Sequence, residues 1–548
     1  MVTKILKMKV CGTVLFAIFV FMKKDHRKQL VLLMATSLVI RIILAAITEL
    51  GNDEVYYWTY ALFPDWSHFD HPPMLGWIIQ LFTCDLMWDS AFALRIPALV
   101  MGTVNTWLFY RLGIMIKDER TGWHAALLHT GSLYASVIAG TCILPDTPLG
   151  TFYLASLYFM IKACYPGSTT GQPANPINFL WAGIFTGLAV LSKYTGIFLW
   201  TGTILYLLIY RRKTFKEPWL WAGMTVTLVL FTPVIIWNLK SDLSSFAFHS
   251  ERVSFLGEGI KPLFLGKELM GSFLYNNPLN VILIIWSVIG YLKLRRKGDP
   301  SLLPVEPATF RLLMFQALPF IATFVFFSLF RETLPHWSAP GYYPLILFCA
   351  ASVSGGKAGR AIKVSPVVLT VIVAIAVIQV KTGFIPLTHT AAVQNTVKND
   401  SWAELGRKDF TLDMYGWKQL GEHFSRVMQE QEMLYRQRNG EEGMPPQSAI
   451  LANRWFPAAH LDYYVARPNG IVVKTKGPLE RTHKYEQITE KRGGIAPGEP
   501  FYYIESSRFP ERLRGTVSLD TFFVTRCQKP VIRYVVHRIT DVSQFTAE

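Results

Sequence analysis

The sequence predicts a mainly α protein: a polytopic transmembrane helical bundle of about eleven spans with a structured first external loop and a C-terminal external α/β domain. Three observations carry that expectation. The 548 residues are 51% hydrophobic and only 17% charged, with a mean hydropathy of +0.28, which is not the balance of a soluble globular chain. The apolar residues fall into runs of roughly 14 to 21, near the length a helix needs to cross about 30 Å of hydrocarbon. Basic residues gather in every second connection between those runs.

In chain order the expected spans are residues 30–47, 92–111, 122–140, 147–163, 178–191, 195–210, 219–237, 273–293, 312–330, 341–354 and 365–380. The basic clusters KKDHRK before the first span, KDER at 117–120, RRKTFK at 211–216, KLRRK at 293–297 and KAGRAIK at 357–363 are cytoplasmic by the positive-inside rule. The alternate loops, and everything after about Lys381, are then external. Residues 1–21 read as an N-terminal extension, because Val10 to Phe21 is short for a span and Met22 opens a stretch resembling an ordinary start. The expected domains are thus the extension, a membrane domain over 22–383 and an external domain over 384–548. The external domain mixes helical patterns such as GWKQLGEHFSRVMQEQEMLYRQ with β-rich runs such as FYYIES, DTFFVTR and VIRYVVHRI.

The formal charge of +16 raises nucleic acid as a partner, but its distribution excludes it. Residues 384–548 carry 22 Lys/Arg against 19 Asp/Glu, so nearly all the excess lies in loops between spans. The six cysteines form no CxxC pair and no framework within one domain. No Walker or GxGxxG pattern precedes a helix, so no nucleotide cofactor is expected.

The candidate chemistry lies in the external loops. In GNDEVYYW, Asp53 and Glu54 follow the first span at once, and a helix there puts Asp53, Tyr56, Tyr57 and Tyr60 on one face. The tyrosines line a ligand or form an interfacial belt. WSHFDHPPMLGW sets Asp70 and His71 beside a Pro-Pro break, suited to a divalent cation, a proton shuttle or a solvated turn. Asp146, in LPDTP, caps the fourth span or converges on Asp53. Lys193, alone in the tight turn LSKYTG, snorkels or binds an anion. AFHSERVSF adds His249, Glu251 and Arg252; RETLPHWSAPGYYP adds Arg331, His336, Trp337, Tyr342 and Tyr343. Acids, imidazoles, cations and aromatics from five loops compose a site for a polar anionic ligand such as a sugar phosphate.

These stretches together, NDEVYYW, FDHPPMLGW, ALRIPALVMG, LPDTP, GLAVLSKYTG, TPVIIWN and LPHWSAPGYYP, resemble in order the GT-C membrane glycosyltransferases over about residues 30–380. The similarity is to the bacterial branch related to protein O-mannosyltransferases and lipid A aminoarabinose transferases. DMYGWKQL and NRWFPAAHLDYY extend the resemblance, less distinctively, into the C-terminal domain. It implies a transferase in the bacterial inner membrane, its C-terminal domain periplasmic or extracellular, moving a sugar from a polyprenyl-phosphate donor, with inversion, to a glycan, lipid or protein acceptor. Asp53 matches the family's central first-loop acid and Asp146 its second-loop acid, with Glu54 in support. Lys193, His71, Arg331 and His336 are the expected phosphate ligands; Tyr56, Tyr57, Tyr60 and Trp337 line the substrate. His71 stands where the family motif carries lysine. A metal site maps to Asp70 and His249. The rival class is a transporter or lipid-linked-sugar flippase, which needs polar residues along a pathway near the bilayer midplane. The spans are almost uncharged, with Arg41 and Arg95 the main exceptions.

Overall fold

The computed structural model describes residues 25–164, 175–253, 259–387, 404–510, 516–540 and 542. The N-terminal extension and most of the stretch after 384 where the second domain was expected to begin lie outside them. By Cα proximity the chain forms two compact units. The first is 1–46 with 64–373, and the second is 47–63 with 374–548. The division differs from the one read off the sequence in one respect: the segment carrying Asp53 joins the C-terminal unit.

Helices cover most of the eleven expected spans, two of them with an internal break: 122–140 divides into helix Glu119–Thr130 and the π-helical turn Tyr134–Ile138, and 273–293 divides at Asn276 and Asn277 between helices Pro262–Tyr275 and Pro278–Arg296. Six helices are long and apolar enough by length and composition to cross a membrane: His26–Ile47, Ala91–Ile116, Pro218–Lys240, Pro278–Arg296, Pro307–Phe327 and Gly356–Thr382. The other five expected spans form shorter or less apolar helices, including Asp146–Cys164, Asn178–Ser192, Phe198–Tyr210 and Tyr342–Ser352. The chain is a multi-pass membrane protein. Proline opens several of these helices, at Pro218, Pro278 and Pro307, where its missing N–H costs nothing. Ser90 and Asp118 cap others by accepting from the amides of Ala93 at 3.2 Å and Thr121 at 2.7 Å. Helices Asn178–Ser192 and Pro218–Lys240 pack through glycine: a Cβ at Gly183 would stand 2.1 Å from the Gly223 carbonyl oxygen. Such close backbone approach is how helices associate where lipid removes the hydrophobic incentive.

The second unit is α/β. Its mixed five-stranded sheet has the order β2-β1-β3-β5-β4, with β1 Ile450–Ala452, β2 Val473–Thr475, β3 Phe501–Ser506, β4 Thr516–Arg526 and β5 Lys529–Ile539. β1 pairs in parallel with β2 and β3, while β5 runs antiparallel to β3 and β4. The amphipathic helix Trp417–Gln437 buries Trp417, Leu420, Phe424 and Val427, the i, i+3, i+7, i+10 stripe of a helix packed on one side.

The segment 47–63 belongs here because the C-terminal motifs are shaped to hold it. The Glu49 carboxylate accepts from the Trp417 amide at 2.9 Å. Tyr464 Oη accepts from the Leu50 amide at 2.7 Å. His460 Nε2 donates to Asn52 Oδ1 at 3.0 Å and its ring stacks on Trp417 at 4.0 Å. Burial, aided by the Arg508 charge, holds the His460 imidazole well below its ordinary range, so the neutral ring serves this hydrogen bond.

Candidate active site

In the first unit the central feature is a buried ion pair. Asp146 opens helix Asp146–Cys164 and Lys193 is the extended residue (φ −158°, ψ 135°) that separates helix Asn178–Ser192 from the 3-10 turn Tyr194–Ile197. That break turns the lysine inward. Its Nζ lies 3.0 Å from both Asp146 oxygens, and the two residues are 5% and 2% exposed. Tyr134 Oη donates to Asp146 Oδ1 at 2.9 Å from a π-helical turn, Tyr134–Ile138, a distortion that re-aims side chains at functional sites. Burial would raise the Asp146 carboxyl, but the Lys193 ammonium, His336 and the hydrogen bonds from Lys193 and Tyr134 outweigh it and hold the group below its usual range. The sequence left open a helix cap for Asp146; its side chain instead serves Lys193.

Around Lys193 stand imidazoles and a guanidinium. His71 is driven well below its ordinary pKa by burial, then by Lys193, His249, Arg252 and His336. His336 is lowered to about 4 by burial and Lys193, against a smaller opposing pull from Asp146. The His71 and His249 ring centroids are 6.1 Å apart, and His249 stands edge-on to Tyr194 at 5.0 Å. Arg252 lies over Phe248 at 4.0 Å and Trp337 at 5.8 Å, cation–π contacts that hold a charge beside the site. Neutral imidazoles next to fixed cations make a pocket whose electrostatics favour an anion. Arg331 is half-buried in the same 331–340 loop as His336 and Trp337.

The depressed His336 has a consequence for stability. A group neutral in the folded chain at about 4 and near 6.5 when unfolded contributes stability that is present above about 6.5 and lost as pH falls toward about 4. Thermal melts between pH 7 and 4 are therefore expected to show a falling Tm, and His336→Gln is expected to flatten part of that slope. An unchanged slope in the variant would contradict the assignment.

Asp70 and His249, the expected metal pair, lie together: His249 Nε2 is 2.8 Å from the Asp70 backbone carbonyl. Among the described residues no three His, Cys, Asp or Glu side chains group as ligands.

Sequence reasoning missed Glu268. In helix Pro262–Tyr275 it is fully buried, accepting from Thr333 Oγ1 at 2.7 Å, Ser338 Oγ at 2.8 Å and Ser272 Oγ at 3.2 Å. Its carboxylate thus pins both ends of the loop that carries His336 and Trp337. An acid inside the apolar run PLFLGKELM was the available signal. Glu268→Ala leaves Thr333 Oγ1 without its acceptor, while Ser338 keeps the Pro335 carbonyl at 3.3 Å and Ser272 the Ser338 hydroxyl at 3.1 Å; the stranded hydroxyl costs about 1–3 kcal/mol, so a lowered Tm is expected, and an unaltered Tm would contradict it.

The remaining predicted residues lie in the second unit. Glu54 reaches back to the Gly51 amide at 2.9 Å and is 2% exposed, the N3 half of a capping box at the start of helix Asn52–Leu62. Tyr56, Tyr57 and Tyr60 are not an open lining. Their rings pack on one another at 5.2–5.7 Å, Tyr56 lies 5.0 Å from Trp455, and Lys484 Nζ sits 4.6 Å over Tyr60. All three are at most 6% exposed, because the helix is buried all round from Glu54 to Ala61. Asp53, in its first turn, is exposed. With Asn52, Arg454, Trp455, Phe456, Glu480 and Arg481 it borders a cavity of about 520 Å³, within the size range of ligand pockets.

The first unit thus joins helices of membrane-crossing length to a buried acid–lysine pair, and comparison with known proteins bears on its fold. Residues 70–237 match the family model for dolichyl-phosphate-mannose-protein mannosyltransferases. A lipid A galacturonosyltransferase, RgtD, of Rhizobium johnstonii is 22% identical over 302 residues, covering 54% of this chain and 59% of its own length. The chain therefore spans under two thirds of that curated relative. Two solved structures of ArnT from Cupriavidus metallidurans share the fold at 14% identity. The apo form covers 96% of this chain and 100% of its own, with a TM-score of 0.58. The form bound to undecaprenyl phosphate covers 92% and 97%, with a TM-score of 0.55. The resemblance read from the sequence holds: the chain has the GT-C fold, in a form like that of ArnT.

Proposed function

We propose that this protein is an inverting membrane glycosyltransferase that takes its sugar from a polyprenyl-phosphate donor and transfers it at the periplasmic side of the bacterial inner membrane. The observation that carries the reading is the buried Asp146–Lys193 pair, with Tyr134, His71, His336 and Arg252 around it. A cation fixed by a carboxylate, among histidines kept neutral first by burial and then by the neighbouring cations, suits a leaving phosphate.

In the proposed step an acceptor oxygen attacks the anomeric carbon from the face opposite the phosphate. The carbon–oxygen bond to phosphate breaks with its electron pair going to the phosphate oxygen, and the acceptor proton passes to Asp53. Where the acceptor is itself a phosphate no proton need leave, and Asp53 only positions it. Lys193 neutralises the charge that grows on the leaving group, with Arg252, Arg331, His71 and His336 as its neighbours or loop partners. Asp146 and Tyr134 hold the ammonium in place. Glu54 supports Asp53 by fixing the first turn of its helix. A lipid A relative and a protein-mannosyltransferase family model leave glycolipid, glycan and protein acceptors as the classes to test. Mass spectrometry of envelope glycolipids and glycoproteins after deletion of the gene is expected to show loss of one sugar from one class, restored by the intact gene. An unchanged profile would contradict the reading.

A further inference from the structure

Arg41 has no part in the step above, yet it is a charged residue deep in the membrane part, 4% exposed, six residues before the end of helix His26–Ile47. Its partners are all neutral. Nε donates to the Ser37 carbonyl at 3.2 Å, and Nη2 to Ser37 Oγ at 3.3 Å and Thr103 Oγ1 at 3.1 Å. Nη1 rests in a seat cleared by two glycines. A Cβ at Gly102 would stand 2.2 Å from it and one at Gly140 would stand 3.1 Å away. The structure makes room for a guanidinium but supplies no carboxylate among these partners. A buried charge without a counter-charge is among the costlier features a membrane protein can keep.

The guanidinium borders a crevice between helix His26–Ile47, the turn after helix Glu119–Thr130, and helix Gly356–Thr382. A second, independent feature shares it. Thr130 Oγ1 is buried in that lining with no hydrogen-bond partner, and Thr130 is 8% exposed. Ser136 lines it too, its hydroxyl donating to the Thr130 carbonyl at 2.7 Å, while Leu44, Leu369 and Val373 form an apolar border. At about 40 Å³ the crevice holds roughly three water-sized centres, enough for phosphate oxygens and too little for a sugar ring. A guanidinium and one hydroxyl donor flanked by aliphatic side chains match a phosphate group carried on a hydrocarbon chain.

We infer that this crevice is a lipid-phosphate site, in which Arg41 binds the phosphate of an anionic membrane lipid and Thr130 completes its hydrogen bonding. Two lipids carry that chemistry, a phospholipid head group and a polyprenyl phosphate, and the test separates them. The full-length protein in neutral phosphatidylcholine nanodiscs is supplied with phosphatidylglycerol or with polyprenyl monophosphate, and retained lipid is counted by native mass spectrometry. The wild type is expected to retain phosphatidylglycerol, or a second polyprenyl phosphate beyond the one proposed at Lys193, and Arg41→Gln, which keeps a donor for Ser37 and Thr103 but drops the charge, is expected to retain about tenfold less of that lipid. Leu369→Trp, which fills the crevice and leaves Arg41 in place, is expected to lose the lipid likewise without a change in Tm. Retention by both variants equal to wild type, or retention by the wild type of neither phosphatidylglycerol nor a second polyprenyl phosphate, would overturn the site. Because the readout is binding, the result stands apart from whether the chain transfers sugar.

Discussion

Asp53→Asn is expected to lower sugar transfer by about 10²–10⁴-fold, the usual range for losing a positioned general base, while leaving the protein folded and membrane-inserted. The expectation rests on where the side chain sits. Asp53 is exposed at the edge of the 520 Å³ cavity, whereas its neighbour Glu54 is turned into the backbone of its own helix. The substitution removes a negative charge from an open face. Glu54→Gln keeps a weaker acceptor for the Gly51 amide, so it is expected to cost at most about 1 kcal/mol and to reduce transfer far less. Equal losses in the two variants would overturn the division of roles between them. If the acceptor is a phosphate, the Asp53→Asn loss shrinks and appears chiefly in KM for the acceptor.

Lys193→Met is the second large effect, and it strikes both stability and activity. It leaves Asp146, 2% exposed, as a buried carboxylate whose bidentate cation at 3.0 Å is gone. Breaking a buried pair on one side costs about 3–5 kcal/mol. The double variant Asp146→Asn with Lys193→Met removes the stranded charge and is expected to recover most of the lost Tm. Activity is not expected to return with it, because the leaving phosphate still lacks its cation. A double variant that regained transfer would show that the pair is structural only. Tyr134→Phe removes one hydrogen bond at 2.9 Å from Asp146 and is expected to act in the same direction at a smaller scale, about 1.5–3 kcal/mol for a bond to a charged group.

Much of this was visible in the sequence because lipid imposes strong rules. Long apolar runs and alternating basic loops are required by the solvent, so most of each expected span is helical. Lys193 stood out because a lone cation in a tight apolar turn contradicts the charge pattern around it, and it is the residue on which the site is built. What the sequence hid is pairing across distance. Nothing in LPDTP says that Asp146 meets Lys193 rather than capping its helix, since both uses ask for the same carboxylate at a helix start. The π-helical turn that aims Tyr134 has no local signature. The tyrosines after Asp53 show the same limit in reverse: a stripe at i, i+3 and i+4 records that one face is covered, but not whether a ligand or a protein core covers it. Here Trp455, His483 and Lys484 do. Glu54 was read as half of an acid pair, although three residues after Gly51 is also the place of a capping acid.

The central claim is the use of a polyprenyl-phosphate sugar, and turnover of a labelled donor tests it most directly. Purified protein in nanodiscs is given a polyprenyl-phosphate sugar labelled in the sugar, with a membrane glycolipid extract as acceptor, and free polyprenyl phosphate and labelled product are measured together. The account predicts stoichiometric release and transfer by the wild type, inverted configuration in the product, and loss of both in Asp53→Asn and Lys193→Met. Release by the two variants at the wild-type rate, or product with retained configuration, would contradict it.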